Sequence, residues 1–409
     1  AYGKDVDKLK ARSGQKGFRS LEKENGTQEL GYWPSVEYIR SRAMMGSQKA
    51  GIGVIGEGND SPGSDFLIKL ADENDPRPIW ICSWGGANTL AQAIWRVQQT
   101  RTPEEVAEFV RKFRVYTISD QDMVYARRFD RAYSSHQWMR MNFPEDLCLI
   151  WDEGAWQRQC DLGKENWELH QKNIQTKGAL GSEYPNYLWG VEGDTPTFLN
   201  IMPNGLNDAE DPTQASWAGF HVRGICPDLK TEAWNSWQEP VRSISVAFKE
   251  RFYPDELNDF MARMQWADEG KGNTNPHVKL IATVDDNKPE KIMEALAPVH
   301  ITANPGSTVC LDASGSYDKE GDKLNFKWWQ QEQAGTEIVG SYKEEGGDTR
   351  LILNGAQQIL AIDYSHNPTL CVKIPLNAAG QSLHIVCEVH DDGAFNLVSY
   401  RRIIIDVQK

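Results

Sequence analysis

The stretch Arg77 to Gln99, RPIWICSWGGANTLAQAIWRVQQ, decides the fold. Arg77 to Trp84 is a short apolar run of the kind that forms a strand buried on both faces. Gly85 and Gly86 break it, and Asn88 to Gln99 then places Leu90, Ala91, Ile94, Trp95 and Val97 at helical spacing. Further along, Pro103 to Phe113 is expected to be a helix, with proline in its first turn and Glu104 and Glu105 where the helix dipole favours acids. A strand follows at Arg114 to Ile118 (RVYTI), helix over most of Met123 to Asn142, and strand again at Leu147 to Trp151 (LCLIW). This alternation implies right-handed crossovers and a parallel sheet. Upstream, Ser35 to Met45 and Ser64 to Asp72 are expected helices, the second with Ser64 as its N-cap.

From Asp152 to about Trp266 the chain is rich in tryptophan, glycine and proline, with helical stretches near Trp167 to Thr176 and Pro254 to Trp266. Long irregular segments of this sort are commonly where an enzyme builds its site. Asp268 to Pro276 (DEGKGNTNP) is a polar linker, and from His277 β-branched runs alternate with turn clusters. Val299 to Leu311, Leu324 to Trp329, Thr349 to Leu353, Thr369 to Ile374, Leu383 to Val389 and Val398 to Ile405 are candidate strands, enough for a β-sandwich. The expected organisation is therefore an α/β parallel-sheet domain over residues 1–270 and an all-β sandwich over residues 277–409.

Composition narrows the function. The 409 residues carry 44 Lys and Arg against 58 Asp and Glu, a net charge of −14, which argues against partners bound through phosphates, whether nucleic acid or anionic membrane. No run approaches the ~20 apolar residues of a membrane span, and the opening residues show no secretory h-region. Seven cysteines make no CxxC pair, and the eight histidines make no HxxxH or His/Cys set, so a zinc site is not expected. Cys310 and Cys387, each inside an apolar run, are the pair to consider for a bridge, by analogy with inter-sheet disulfides. Of the 15 tryptophans, 13 lie between Trp33 and Trp266, so the excess belongs to the α/β part.

Several polar loops follow strands, where a parallel sheet presents its ligands. Trp84 to Thr89 turns through two glycines into a helix whose N-terminus offers free N–H donors; Asn88 either meets a ligand or caps that helix. Ser119, Asp120, Gln121 and Asp122 follow RVYTI and can hold a sugar, hold a cation or cap a helix. Glu192 and Asp194, if extended, project to the same side, and paired carboxylates share a proton, bind Ca²⁺ or divide acid and base roles. Glu57 and Asp60 sit in the loop GEGNDSPGS, which lacks the lysine of a P-loop. No GxSxG elbow is present.

Taken together, DPRPIWICSWGGANTLAQAIW (Asp75 to Trp95), IGEGNDSPGS (Ile55 to Ser64), YTISDQD (Tyr116 to Asp122) and GVEGDTPTFLNIMPNGLND (Gly190 to Asp208) resemble the nucleoside-hydrolase-like domain of a family of bacterial cellulose-binding proteins. LDASGSYDKEGDKLNFKWW (Leu311 to Trp329) resembles that family's immunoglobulin-like C-terminal domain and the wider PKD-like sandwich. The resemblance implies a Ca²⁺ site that activates water, with Asp194 and the Trp84 backbone carbonyl as metal ligands and Glu192 beside Asp194 in catalysis. It further implies that Glu57, Asp60, Trp84, Asn88, Asp120, Gln121, Asp122 and Trp189 meet the sugar. Nucleoside hydrolases open with an aspartate cluster on an apolar strand; none stands ahead of Tyr32 here, Asp5 and Asp7 lying in a lysine-rich helical stretch, so strands of the sheet are expected to precede Ala1. Candidate sugar platforms are Trp84, Trp138, Trp156, Trp189 and Trp217.

Two functions compete. One is a secreted or periplasmic hydrolase of glycosidic or N-glycosidic bonds, acting on a carbohydrate or ribosyl-containing molecule with Ca²⁺-assisted water. The other is non-catalytic polysaccharide binding, in which aromatic residues matter more than acids. In the sandwich only Trp328 and Trp329 stand out, and strand alternation is expected to bury one of them. Asp318, Glu320 and Asp322 around Gly321 form either a Ca²⁺ loop or a polar turn.

Overall fold

A computed structural model describes residues 1–13, 33–122, 133–285, 290–293, 296–347, 349–354, 360–362 and 366–409. Its first half is built on five strands, β1 (Ile79–Ser83), β2 (Phe113–Ile118), β3 (Cys148–Asp152), β4 (Val222–Ile225) and β5 (Glu232–Asn235). They lie in the order β1-β2-β3-β5-β4, parallel except for the β4–β5 pair. Alternation assigns the two faces. Phe113 and Val115 of β2, with Leu149 and Trp151 of β3, pack under the helices Asn88–Gln98 and Pro103–Arg111. Tyr116, Ile118 and Ile150 point the other way, onto Leu206, Trp217 and Phe252.

Local chemistry explains the helix ends. Pro103–Arg111 starts with a reciprocal cap, in which Thr102 accepts from the Glu105 N–H and Glu105 accepts from the Thr102 N–H. In Pro62–Ala71 the N-cap is Ser61, and Ser64, expected in that role, is instead its partner three residues on. The helix expected over Ser35 to Met45 is limited to Val36–Ser41, with Ser35 as its cap. Part of the helix expected over Met123 to Asn142 lies outside the described residues; Ser135–Asn142 is helical. Trp167–His170 is helical and runs on as a π-turn over Gln171–Gln175. The segment starting at Pro254 is the second half of the 29-residue helix Val241–Glu269, with the proline inside it.

The second half is mostly antiparallel. Its strands are β6 (Leu280–Val284), β7 (Glu290–Met293), β8 (Val299–Ala303), β9 (Thr308–Asp312), β10 (Leu324–Gln331), β11 (Ile338–Lys343), β12 (Thr349–Leu353), β13 (Thr369–Lys373), β14 (Ser382–Asp391) and β15 (Val398–Val407). One sheet runs β10-β14-β15-β8, a second β13-β9-β6-β7, and β11 and β12 form a separate hairpin. Only β15 and β8 pair in parallel among these strands. The core between the two four-stranded sheets holds Val309, Leu311, Trp328, Ile385, Cys387 and Ile403. The run Val299 to Leu311 is two strands, because Gly306, at φ 85, lets the chain turn from one sheet to the other.

Two expectations fail here. The disulfide joins Cys310 to Cys371, directly opposite one another on β9 and β13, and Cys387 is a buried free thiol in the other sheet. Both tryptophans of β10 are buried: Trp328 in the intersheet core, and Trp329 against Phe248 and Phe252 of the long helix. Alternation does hold at this strand, but its second face is covered by the first half of the chain rather than by water.

Candidate functional site

The carboxyl ends of β1, β2 and β3 open on the same side of the parallel sheet. At the end of β2 the chain turns through Ser119, at φ 54, into Asp120 and Asp122, both buried. The N-terminus of Ser135–Asn142 holds one oxygen of each. Ser134 Oγ donates to Asp120 Oδ2, and the Ser135 N–H (2.7 Å) and Oγ donate to Asp122 Oδ2. The remaining oxygen of each aspartate, and both ring nitrogens of the buried His136, have no partner among the described residues. One ligand atom from each of Asp120, Asp122 and His136 lies within 4.8 Å of the others. The β1 loop reaches this cluster through Gly86, where a Cβ would stand 2.1 Å from Asp122 Oδ1 and 2.6 Å from Asn88 Oδ1. Any larger residue would displace the Asp122 and Asn88 side chains.

Trp84, Gln121 and Asp194 meet at this mouth. Trp84 Nε1 donates to Thr197 Oγ (2.7 Å), which donates to the Asp194 carbonyl (2.8 Å), and Gln121 Nε2 reaches Asp194 Oδ1 at 3.3 Å. Burial raises the Asp194 carboxyl, and the Gln121 bond opposes that rise. Asn88 does not cap the helix with its side chain: the N-cap is Ala87, and Asn88 Nδ2 donates to the Gly51 carbonyl (2.6 Å).

Other expected members lie elsewhere. Glu192 is not extended but sits at φ 56, so it turns away from Asp194 and accepts from Tyr184 Oη (2.7 Å). It faces a pocket of about 310 Å³, lined also by His170, Phe198, Met202, Trp217 and Glu256, where burial pushes its carboxyl up to about 7. Glu57 and Asp60 are paired with Arg96, at 3.3 Å for Glu57, and Gln92 Nε2 donates to Asp60 (2.8 Å). Arg96 is eight residues into the helix that starts at Asn88, about 12 Å along it, so these acids close their own loop rather than line the mouth. Among the platform candidates, Trp138 and Trp217 are packed into cores and Trp156 is largely covered. Trp84 is 59% exposed and Trp189 is 90% exposed, next to Leu188 at 88%.

Two groups escaped the sequence reading. His136 is one histidine whose partners are acids 14 and 16 residues upstream on another element, a spacing that no metal motif encodes. Asp152 ends β3 opposite Ile118 and is fully buried. Its Oδ1 accepts from Gly154 N (2.9 Å), Ala155 N (2.8 Å) and Ser236 Oγ (3.1 Å), while burial pushes the carboxyl up to about 7. His221, held down to about 3 by burial, is neutral beside it and 3.3 Å from Tyr116 Oη. The available signal was an acid at the carboxyl end of a buried strand, the same signal that marked Asp120.

Residues 1–221 match the family described as cellulose-binding Sde182, nucleoside hydrolase-like domain, and residues 308–407 match the cellulose-binding protein Sde0182 C-terminal domain. The chain belongs to this family. A solved structure, titled as a nucleoside hydrolase-related hypothetical protein from Saccharophagus degradans associated with carbohydrate metabolism, is 31% identical; the match covers 100% of this chain and 89% of that one at a TM-score of 0.72. A structure of toxic shock syndrome toxin-1 matches 31% of this chain and 98% of its own at 11% identity and a TM-score of 0.17, too low to bear on the fold. No curated protein matches. The α/β half of this chain thus has the nucleoside hydrolase-like fold, and its mouth carries a buried Asp-Asp-His cluster that could hold a metal ion.

Proposed function

We propose that the protein binds a carbohydrate at the carboxyl ends of β1 to β3 and hydrolyses a glycosidic or N-glycosidic bond there. The observation that carries this reading is the set of unpartnered ligand atoms on Asp120, Asp122 and His136. Two buried carboxylates without an opposing charge are costly, and a divalent cation offsets that cost. Two carboxylates and an imidazole suit Mn²⁺ or Zn²⁺ ahead of the calcium implied by the family resemblance, because calcium takes oxygen ligands. When bound, the cation supplies a lowered water pKa and positive charge at the reacting centre.

The chain's own residues do the rest. Gly86 keeps the β1 loop clear of Asp122, and Ser134 and Ser135 fix the two carboxylates. Asp194, oriented by Gln121, takes a proton from the attacking water as oxygen bonds to the anomeric carbon, and returns it to the departing oxygen or nitrogen as the old bond breaks. Glu192, facing the neighbouring pocket and held by Tyr184, takes no part in this step. Trp84 and Trp189 present apolar faces for a sugar ring. Cellulose-type substrates lie outside cells, and a secreted or periplasmic setting goes with this reading.

The exposure of Trp189 favours a second reading, polysaccharide binding without cleavage. The test is sugar release by the full chain from polysaccharide and nucleoside panels, alongside pull-down on insoluble cellulose. Hydrolysis that falls roughly 100-fold or more on chelation and in Asp122→Asn supports the hydrolase. No release from any substrate, with pull-down lost in Trp189→Ala and kept in Asp122→Asn, leaves the binding reading standing in its place.

A further inference from the structure

The segment from Glu192 to Leu199 serves two places at once. Asp194 and Thr197 belong to the mouth, while Glu192, Thr195, Phe198 and Leu199 line the pocket of about 310 Å³. The wall of that pocket is mostly apolar, built from Phe198, Leu199, Met202, Trp217, Leu257 and Phe260. A pocket of this size, with apolar and aromatic side chains around a few polar groups, is the usual form of a small-molecule site.

Three acids stand in the wall, Glu192, Glu256 and Asp259. Two of them have their cations: Lys249 pairs with Glu256, which also accepts from Gln159 Nε2 (2.7 Å), and Arg263 pairs with Asp259. Glu192 makes no ion pair among the described residues. Its Oε1 instead ends a directed chain of hydrogen bonds. Tyr184 Oη spends its proton on Glu192 Oε1 (2.7 Å), so toward His170 Nδ1 (3.3 Å) it can only accept. His170, held down to about 4 by burial and therefore neutral, then carries its proton on Nδ1 and leaves Nε2 to accept from Tyr253 Oη (3.3 Å). Every donor in the chain points toward Glu192, an arrangement that supports a negative charge there. Glu192 Oε2 makes no hydrogen bond among the described residues.

We propose that this pocket binds a primary ammonium group on a small aromatic or aliphatic body, with the ammonium on Glu192 Oε2 and the body against Trp217 and Phe260. A carboxylate taken out of water without a cation is costly, and a cationic ligand supplies the missing charge in a wall that sets three acids against two cations. The rings of Trp217, Tyr253 and Phe260 favour the same ligand, because aromatic faces attract a cation. The apolar wall offers few partners to the hydroxyls of a sugar. Ammonium binding here is independent of the hydrolase reading.

Calorimetric titration of the full chain with benzylammonium chloride at pH 8 tests it, with benzyl alcohol as the neutral counterpart of the same size. Wild type is expected to bind the amine saturably and the alcohol about tenfold more weakly or worse. Glu192→Gln keeps an acceptor for Tyr184 but removes the charge, and should weaken the amine by about tenfold or more while leaving the alcohol where it was. Asp194→Asn, which alters the mouth and not this wall, should leave amine binding unchanged. No saturable uptake of the amine overturns the proposal, and so does equal binding of amine and alcohol. Amine binding that is lost in Asp194→Asn and untouched in Glu192→Gln also overturns it, since the cation would then sit at the mouth.

Discussion

Glu192 and Asp194 stand two residues apart and do different things. Spacing alone pairs them, but the left-handed backbone at Glu192 sends its carboxyl to Tyr184 and the pocket beside it, while Asp194 stays with Gln121 at the mouth. Burial holds the Glu192 proton up to about pH 7 in the folded chain, against an ordinary value of 4.5. The stability this contributes is complete below about pH 4.5 and is lost as pH rises to 7, where the unfolded chain releases the proton more readily. Glu192→Gln keeps an acceptor for Tyr184 and cannot ionise. Urea unfolding is expected to find it level with wild type at pH 5 and more stable by roughly 1–3 kcal/mol at pH 8; equal stabilities at both pH values would show that Glu192 is solvated. Asp120 and Asp122 were legible because parallel strands present ligands at their carboxyl ends. His136 was not, because a helix from elsewhere delivers it.

At the scale of elements, β1, β2 and β3 were legible to within two residues from their apolar runs, whereas β4 and β5, set in the stretch read as irregular, were not. Elements whose ends depend on neighbours were not. Pro254 reads as a first-turn residue, where its missing N–H costs least, yet it lies within Val241–Glu269, held from both sides by packing through Phe252, Leu257 and Met261. The disulfide shows the same limit. Cys310 and Cys371 are matched by strand register, and register depends on which strands become neighbours. Peptide mapping without reductant should recover Cys310 linked to Cys371, with Cys387 alkylated only after unfolding. Cys371→Ala should cost about 2–4 kcal/mol. A Cys310 to Cys387 peptide would contradict the strand order.

In the whole molecule the two halves share one core. Trp329, Val386, Val398 and Tyr400 of the β-rich half pack with Leu206, Trp217 and Phe252 of the other. The Tyr400 N–H donates to the Asn204 carbonyl (2.9 Å), and the buried Arg402 reaches the carbonyls of Leu206 (2.6 Å) and Ala215 (3.3 Å). Residues 277–409 expressed alone would expose four large apolar side chains, at about 2 kcal/mol each. That fragment is expected to melt well below the full chain and to bind a hydrophobic dye; a cooperative melt at the full-chain temperature would make the halves independent. By itself the sequence determined the parallel α/β half, the strand-rich second half and the acids at the end of β2, because periodicity and turn chemistry are local. Tertiary structure alone decided that Trp329 is covered, that Glu57 and Asp60 belong to Arg96, and that His136 joins two aspartates. Each of those outcomes depends on which distant surface arrives to bury a charge or a ring, and burial, unlike periodicity, is not a property of neighbouring residues in the chain.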